Sequence, residues 1–100
     1  MNYKINIFPH AANDIKEIVL WYNQKSPGLG KQFTKNIKNT VKILRENPFA
    51  FAIKYENKRV VSAKKFPYLI HYKIDELKKE VIILAVLHTK RNPNIWKNIN

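Results

Sequence analysis

No cysteine occurs among the 100 residues, which excludes disulfides, a thiol nucleophile and thiolate metal ligation. Glycine is nearly as scarce: Gly28 and Gly30 are the only two, so no glycine-rich loop is available to cradle a phosphate. No apolar run approaches the ~20 residues of a membrane-spanning helix. The amino-terminal MNYKINIFPH alternates polar and apolar residues and lacks the apolar core of a secretory signal, so a cytoplasmic protein is expected. Negative charge is scarce too. Seven Asp and Glu stand against nineteen Lys and Arg, giving a net charge of +12 and an isoelectric point near 10.0. The excess is spread over both halves of the chain, so no single tail accounts for it. Such a field favours polyanions: nucleic acid, the ribosome, an acidic membrane or an acidic protein. His10, His71 and His88 lack metal-ligand spacing and form no cluster with the few acids, so neither a metal nor a cofactor is expected.

What the sequence does contain is enough apolar residue for a core. Hydrophobic residues make up 45%, compatible with one folded domain over residues 1–100. Tyr3, Ile5 and Ile7 alternate with Lys4 and Asn6, predicting a strand over 3–8 that Pro9 stops. Ile15, Ile18, Val19 and Tyr22 then recur at helical spacing, predicting a helix over 11–25 with Asp14 in its first turn, where a carboxylate complements the helix dipole. Ser26-Pro27-Gly28 ends it. A second helix is predicted over 29–46, with Phe33, Ile37, Thr40, Val41 and Leu44 on one side and Lys31, Lys35, Lys38, Lys42 and Arg45 on the other. That basic stripe has the pattern of an ordinary solvated helix face.

The organising stretch is Arg59 to Arg91. A strand is predicted over 59–62. Tyr68, Ile70, Tyr72 and Ile74 alternate with Leu69, His71 and Lys73, predicting a strand over 68–74. The unbroken apolar run from Val81 to Leu87 predicts a strand over 81–88, central and buried on both faces. The fold class is therefore α+β: an N-terminal strand, an antiparallel helical hairpin, then three antiparallel strands. The result is a four-stranded sheet with both helices on one face and the first and third strands flanking the last. If Ile74 pairs near Glu80, Tyr68, Ile70 and Tyr72 share the helix-covered face with Ile82, Leu84 and Val86. Leu69, His71, Ile83, Ala85 and Leu87 then form an uncovered apolar strip, the usual mark of a partner site. A register slip of one residue would exchange the faces.

This element order, with the segments FPYLIHYKID and VIILAVLHTKRNPNIW, resembles the RelE/ParE superfamily, toxins of bacterial type II toxin–antitoxin systems. The likeness spans nearly the whole chain, and includes ANDIKEIVLWY, Phe33, the ENP that closes the second helix, and Arg59. It implies a cognate antitoxin, usually acidic and folding on binding, which would take the strip of Leu69, His71, Ile83, Ala85 and Leu87. It also implies one of two targets. The ParE-like branch binds DNA gyrase and is not an enzyme; VLHTKRNP looks closer to that branch. RelE-like members cleave messenger RNA on the ribosome, where a base, an acid and cations must surround the reacting phosphate. The candidates for that chemistry are Arg59, His88 and Arg91, with Lys64, Lys65, Lys90 and Trp96 as target or nucleic-acid contacts. Two departures count against the nuclease: Leu69 follows Tyr68 where an arginine often stands, and Trp96 occupies the place of a C-terminal tyrosine. A non-toxic basic RNA-binding module is the third reading.

Overall fold

The computed structural model describes residues 2–90. The chain runs β1 (Lys4–Ile7), α1 (Pro9–Lys25), α2 (Leu29–Glu46), a 3₁₀ turn (Pro48–Ala50), β2 (Ile53–Tyr55), β3 (Lys58–Ser62), β4 (Tyr68–Asp75) and β5 (Glu80–His88). The strands form one sheet in the order β1-β5-β4-β3-β2. β1 lies parallel to β5 and every other pairing is antiparallel, so the last strand is flanked by the first and by β4, as its apolar run predicts. The sheet has five strands rather than four. β2 is only three residues of an exposed edge, paired irregularly to β3 through a turn at Glu56, and carries too little pattern to be read.

Each helix begins and ends for local reasons. Pro9 sits in the first turn of α1, where its missing N–H costs nothing. Ser26 leaves helical geometry, and its amide closes the last turn on the Tyr22 carbonyl. Gly28 then takes a left-handed φ of 87° that permits the abrupt entry into α2. Gly30, Phe33, Ile37, Thr40 and Leu44 recur on the buried side of α2, while its five-cation stripe is exposed. Gly30 is needed for closeness. A Cβ there would lie 2.5 Å from Asn23 Oδ1 and 2.7 Å from the Val19 carbonyl oxygen.

The helices pack on the face carrying Val61, Ile70, Tyr72, Val81, Ile83 and Val86. Against it Tyr22, Phe33, Phe66 and Tyr68 meet with ring centroids 5.2 to 6.3 Å apart. Truncating a fully buried member such as Phe33 or Leu44 costs about 2–5 kcal/mol.

The hairpin register differs from the expected one. Ile74 pairs with Val81, not Glu80, because Glu76 to Lys79 all lie in the turn, which Asp75 Oδ1 closes by accepting the Lys78 amide. That one-residue slip puts Ile83 on the helix face, and Ile82 and Leu84 on the other. A bulge in β5 then restores the expected parity. Beyond it His71 pairs with Ala85 and Ile70 with Val86, so Ala85 and Leu87 do lie opposite the helices with Ile82 and Leu84. This second face is not open, however. Ile82, Leu84, Ala85 and Leu87 are all under 8% exposed, with Phe8 packed among them, and His71 is fully buried.

β1 pairs with β5 only as far as Ile7↔Ile83, although β5 runs five residues further. The exposed edge is taken up by the start of α1. The Phe8 amide donates to the Ile83 carbonyl at 3.0 Å, and the Val86 amide donates to Asp14 Oδ2 at 2.9 Å. Asp14 therefore sits past the first turn of α1, contrary to expectation, and serves the sheet rather than the helix dipole.

Two stability outcomes are expected in urea unfolding at neutral pH. Asp14→Ala leaves a strand amide without its charged acceptor and should cost about 1.5–3 kcal/mol, with Asp14→Asn losing less. Gly30→Ala should destabilise despite alanine's ~1 kcal/mol advantage in helix propensity, because the Val19 carbonyl cannot move aside.

Candidate functional site

The charged and titratable candidates fall in four separate places. The first is the corner where β3 meets the end of α2. Arg59, half-buried, donates from Nη1 to the Phe51 carbonyl at 2.7 Å, and its guanidinium lies 5.1 Å from the centre of the Phe49 ring. Tyr72, its cross-strand partner, donates to the Pro48 carbonyl at 2.8 Å. Burial pushes the Tyr72 phenol up to about 12, with Arg59 opposing the shift. Both side chains thus tie the segment after α2 to the sheet, a role that the predicted catalytic cation gave no sign of in sequence.

The second place is a cleft of about 220 Å³ between α1 and the far end of the β4–β5 hairpin. His88 stands on its wall beside Tyr68, ring centroids 5.2 Å apart, and His88 Nδ1 accepts the Lys90 amide at 3.0 Å. The neutral imidazole therefore carries its proton on Nε2. Asp14, Glu17 and Trp21 form the opposite wall, and no cation is among the described residues lining the cleft. His10 adds a second imidazole nearby, its Nε2 3.6 Å from Asp14 Oδ2. Arg59 and His88 do not converge. Arg59 faces Tyr72 and His88 faces Tyr68, four residues apart along β4, or about 13 Å at ~3.3 Å per residue. Arg91 and Trp96 lie outside the described residues, and Lys90 is exposed at the mouth of the hairpin.

The third place is the second sheet face, where His71 and Tyr55 share a hydrogen bond of 3.0 Å between Nδ1 and the phenol oxygen. Burial pushes His71 down to about 4; burial, aided by the neighbouring Glu56 charge, pushes Tyr55 up to about 12. Both are therefore neutral at pH 7. Lys58, 3% exposed, packs its ammonium near the Tyr55 ring and pairs with Glu56 Oε1 at 2.6 Å. Of the five residues expected to form an open strip, Ile83 faces the helices, His71, Ala85 and Leu87 are buried, and Leu69 is half-buried. The apolar pattern was legible but the covering was not, because it involves Phe8 and Tyr55 from distant parts of the chain.

The fourth place holds Lys64 and Lys65, exposed on the loop between β3 and β4. The Asn36 side chain of α2 donates to the Lys64 carbonyl, and Lys65 takes a left-handed φ of 74°. The loop backbone is thereby tied to α2, and Lys64 and Lys65 line the same groove as Lys35 of that helix. Among the described residues no group of three His, Asp or Glu side chains is placed to hold a metal, and no helix is long and apolar enough to cross a membrane.

Comparison with known proteins follows the same lines. The profile of the ParE toxin of type II toxin–antitoxin systems matches residues 5–93. No curated protein sequence matches significantly. Among solved structures, one of the chromosomal ParDE toxin–antitoxin system of P. aeruginosa superposes with a TM-score of 0.75 at 19% identity, covering 86% of this chain and 95% of that one. A mutant E. coli RelE toxin in the free state gives 0.69 at 15% identity, covering 90% and 86%. The RelBE2 complex of Mycobacterium tuberculosis gives 0.56 at 19% identity, covering 88% and 92%. At these identities the structural likeness concerns the fold.

The depressed His71 has a measurable consequence. Its folded value lies below the ordinary 6.5, so the stability it contributes is complete above pH 6.5 and is lost as pH falls towards 4. Urea unfolding should show the protein about 2 kcal/mol less stable at pH 5 than at pH 7.5, with most of that difference gone in His71→Phe.

Proposed function

The chain belongs to the ParE toxin family of type II toxin–antitoxin systems, and from that premise we propose that it arrests growth by binding DNA gyrase and is silenced by a cognate antitoxin. The observation that carries the choice of target is the setting of His88. Cleavage of RNA by attack of a 2′-hydroxyl builds negative charge on a phosphate, which needs cations within hydrogen-bonding reach of the acid and base. Around His88 the described walls carry the carboxylates of Asp14 and Glu17 instead. Like charge repels a phosphate entering such a cleft. Arg59, the other described candidate for catalysis, is spent on the Phe51 carbonyl and the Phe49 ring, opposite Tyr72 and four residues along β4 from the partner of His88. A binding inhibitor needs no such cluster. It acts through a surface complementary to its target, and the +12 charge favours an encounter with an acidic or nucleic-acid-bound one. The same charge favours a neutralising antitoxin of opposite sign.

Induction in a bacterial host, with total RNA and plasmid DNA followed over the first minutes, tests the reading. Growth should stop while messengers stay intact and plasmid topology changes, and the antitoxin should restore growth when co-expressed. His88→Ala should leave arrest within about threefold of the unsubstituted protein, since loss of a general acid–base group costs ~10²–10⁴ where one acts. Early messenger cleavage, abolished by that substitution, would establish the ribosome-dependent nuclease instead. Absence of arrest would leave the non-toxic RNA-binding module.

A further inference from the structure

Lys31, Lys35, Lys38, Lys42 and Arg45 have the sequence pattern of an ordinary solvated face of α2, and all five are exposed, opposite the buried Phe33, Ile37, Thr40 and Leu44. Two observations set the row apart. A solvated helix face usually mixes signs, with carboxylates answering cations one turn away. Here no Asp or Glu occurs from residue 18 to residue 45. None of the five cations meets a carboxylate among the described residues, where the ion pairs are His10–Asp14 and Lys58–Glu56. The row is also continuous. Spacings of 4, 3, 4 and 3 put each cation beside the next, so like charges repel along the whole helix and weaken it. From Lys31 to Arg45 the line is about 21 Å long at ~1.5 Å per residue. We propose that this row binds the phosphate backbone of duplex DNA without reading its sequence, its cations facing successive phosphates of one strand.

The shape and chemistry of the row select that occupant. It stands as a ridge between two grooves: Lys35 borders the one towards the β3–β4 loop, and Lys38, Lys42 and Arg45 border one of about 490 Å³ towards β1. A strand of B-form DNA carries one charge per ~3.4 Å of axis, so ~21 Å of it presents about six phosphates to the row. Protein interfaces are instead built around apolar anchors, with lysine scarce at their core. Ile43, the large exposed apolar residue of α2, lies about 120° around the helix from the row at ~100° per residue. Single strands are held by stacking their bases on aromatic rings, and the one aromatic residue of α2, Phe33, is fully buried. Glu46, the one carboxylate of the helix, comes after Arg45 and leaves the row unbroken. The overall charge of +12 draws a polyanion to this face. That the duplex is DNA rests on the gyrase reading, since gyrase works on DNA.

Fluorescence anisotropy of a labelled DNA duplex of mixed sequence, titrated with the full chain, tests it near 0.1 M salt, where charges more than ~10 Å away are largely screened. Binding should saturate, and log K should fall with log salt at a slope of about −3 to −4.5. Lys35→Gln with Lys38→Gln and Lys42→Gln should weaken it roughly tenfold or more and flatten the slope by about 2–3. Lys16→Gln with Lys54→Gln and Lys78→Gln, the same loss of charge at exposed positions outside α2, should leave affinity within about threefold. The α2 variant should melt at or above the temperature of the unsubstituted protein, because glutamine keeps the helix and relieves the repulsion. Failure to saturate, equal losses in the two triple variants, or a lower melting temperature for the α2 variant would overturn the proposal, the last by showing that the row serves the fold. Tighter binding of single-stranded oligouridine, or displacement of the duplex by polyglutamate at equal charge, would overturn it in favour of single-stranded RNA or an acidic protein. An RNA duplex bound as tightly through the same lysines would overturn the assignment to DNA. None of these measurements reads growth arrest, so a failure of duplex binding and a failure of the gyrase reading are told apart.

Discussion

Everything in this molecule is arranged around the burial of one strand. β5 is apolar from Val81 to Leu87 and less than 8% exposed at every one of those positions. A strand with no polar face cannot lie at the edge of a sheet, and it must be covered above and below. The helical hairpin covers one side. On the other side Phe8 joins its apolar cluster and Tyr55 reaches over to His71 of the neighbouring strand. β1 is too short to cover the whole edge of β5, and Asp14 completes it with a carboxylate. The placement of α1 follows from that edge as much as from its own apolar stripe.

The same strand explains which parts of the fold were legible. The end of α1 and both ends of α2 were, since the spacing of Phe33, Ile37 and Leu44 and the breaks at Ser26-Pro27-Gly28 and Asn47-Pro48 act locally, whereas α1 starts at Pro9 rather than at residue 11. The centrality of β5 was legible from its unbroken apolar run. The register of the β4–β5 hairpin was not. When both faces of a strand are apolar, hydrophobic pattern loses its power to choose between registers, and turn length decides instead. Here the four-residue turn shifts the pairing by one and the β5 bulge shifts it back, so Ile82, Ile83 and Leu84 change faces while Val86, Ala85 and Leu87 keep theirs. β2 escaped notice because three residues are too few to show a period.

The functional surface was harder to read for a related reason. Cations were easy to find in the sequence, but their partners were not. Arg59 is held by a backbone carbonyl that no residue type announces. His88 looks out on carboxylates contributed by α1, more than seventy residues earlier. Locally the charge differs by place: the cleft beside His88 is lined by Asp14 and Glu17, and the groove between α2 and the β3–β4 loop by Lys35, Lys64 and Lys65. Family membership fixes the class of protein, and this division bears on what it touches.

The parallel pairing of β1 with β5 has a consequence for how the protein is made. Lys4 waits for Glu80 to emerge before the central strand can be enclosed. At ~5–20 residues per second, that interval is about 4–15 s of translation. During it the helical hairpin can form, but the central strand that it covers has not yet been made. Before β5 is made only β2, β3 and β4 can pair, so a polypeptide terminated short of it lacks the strand that joins β1 to the rest of the sheet.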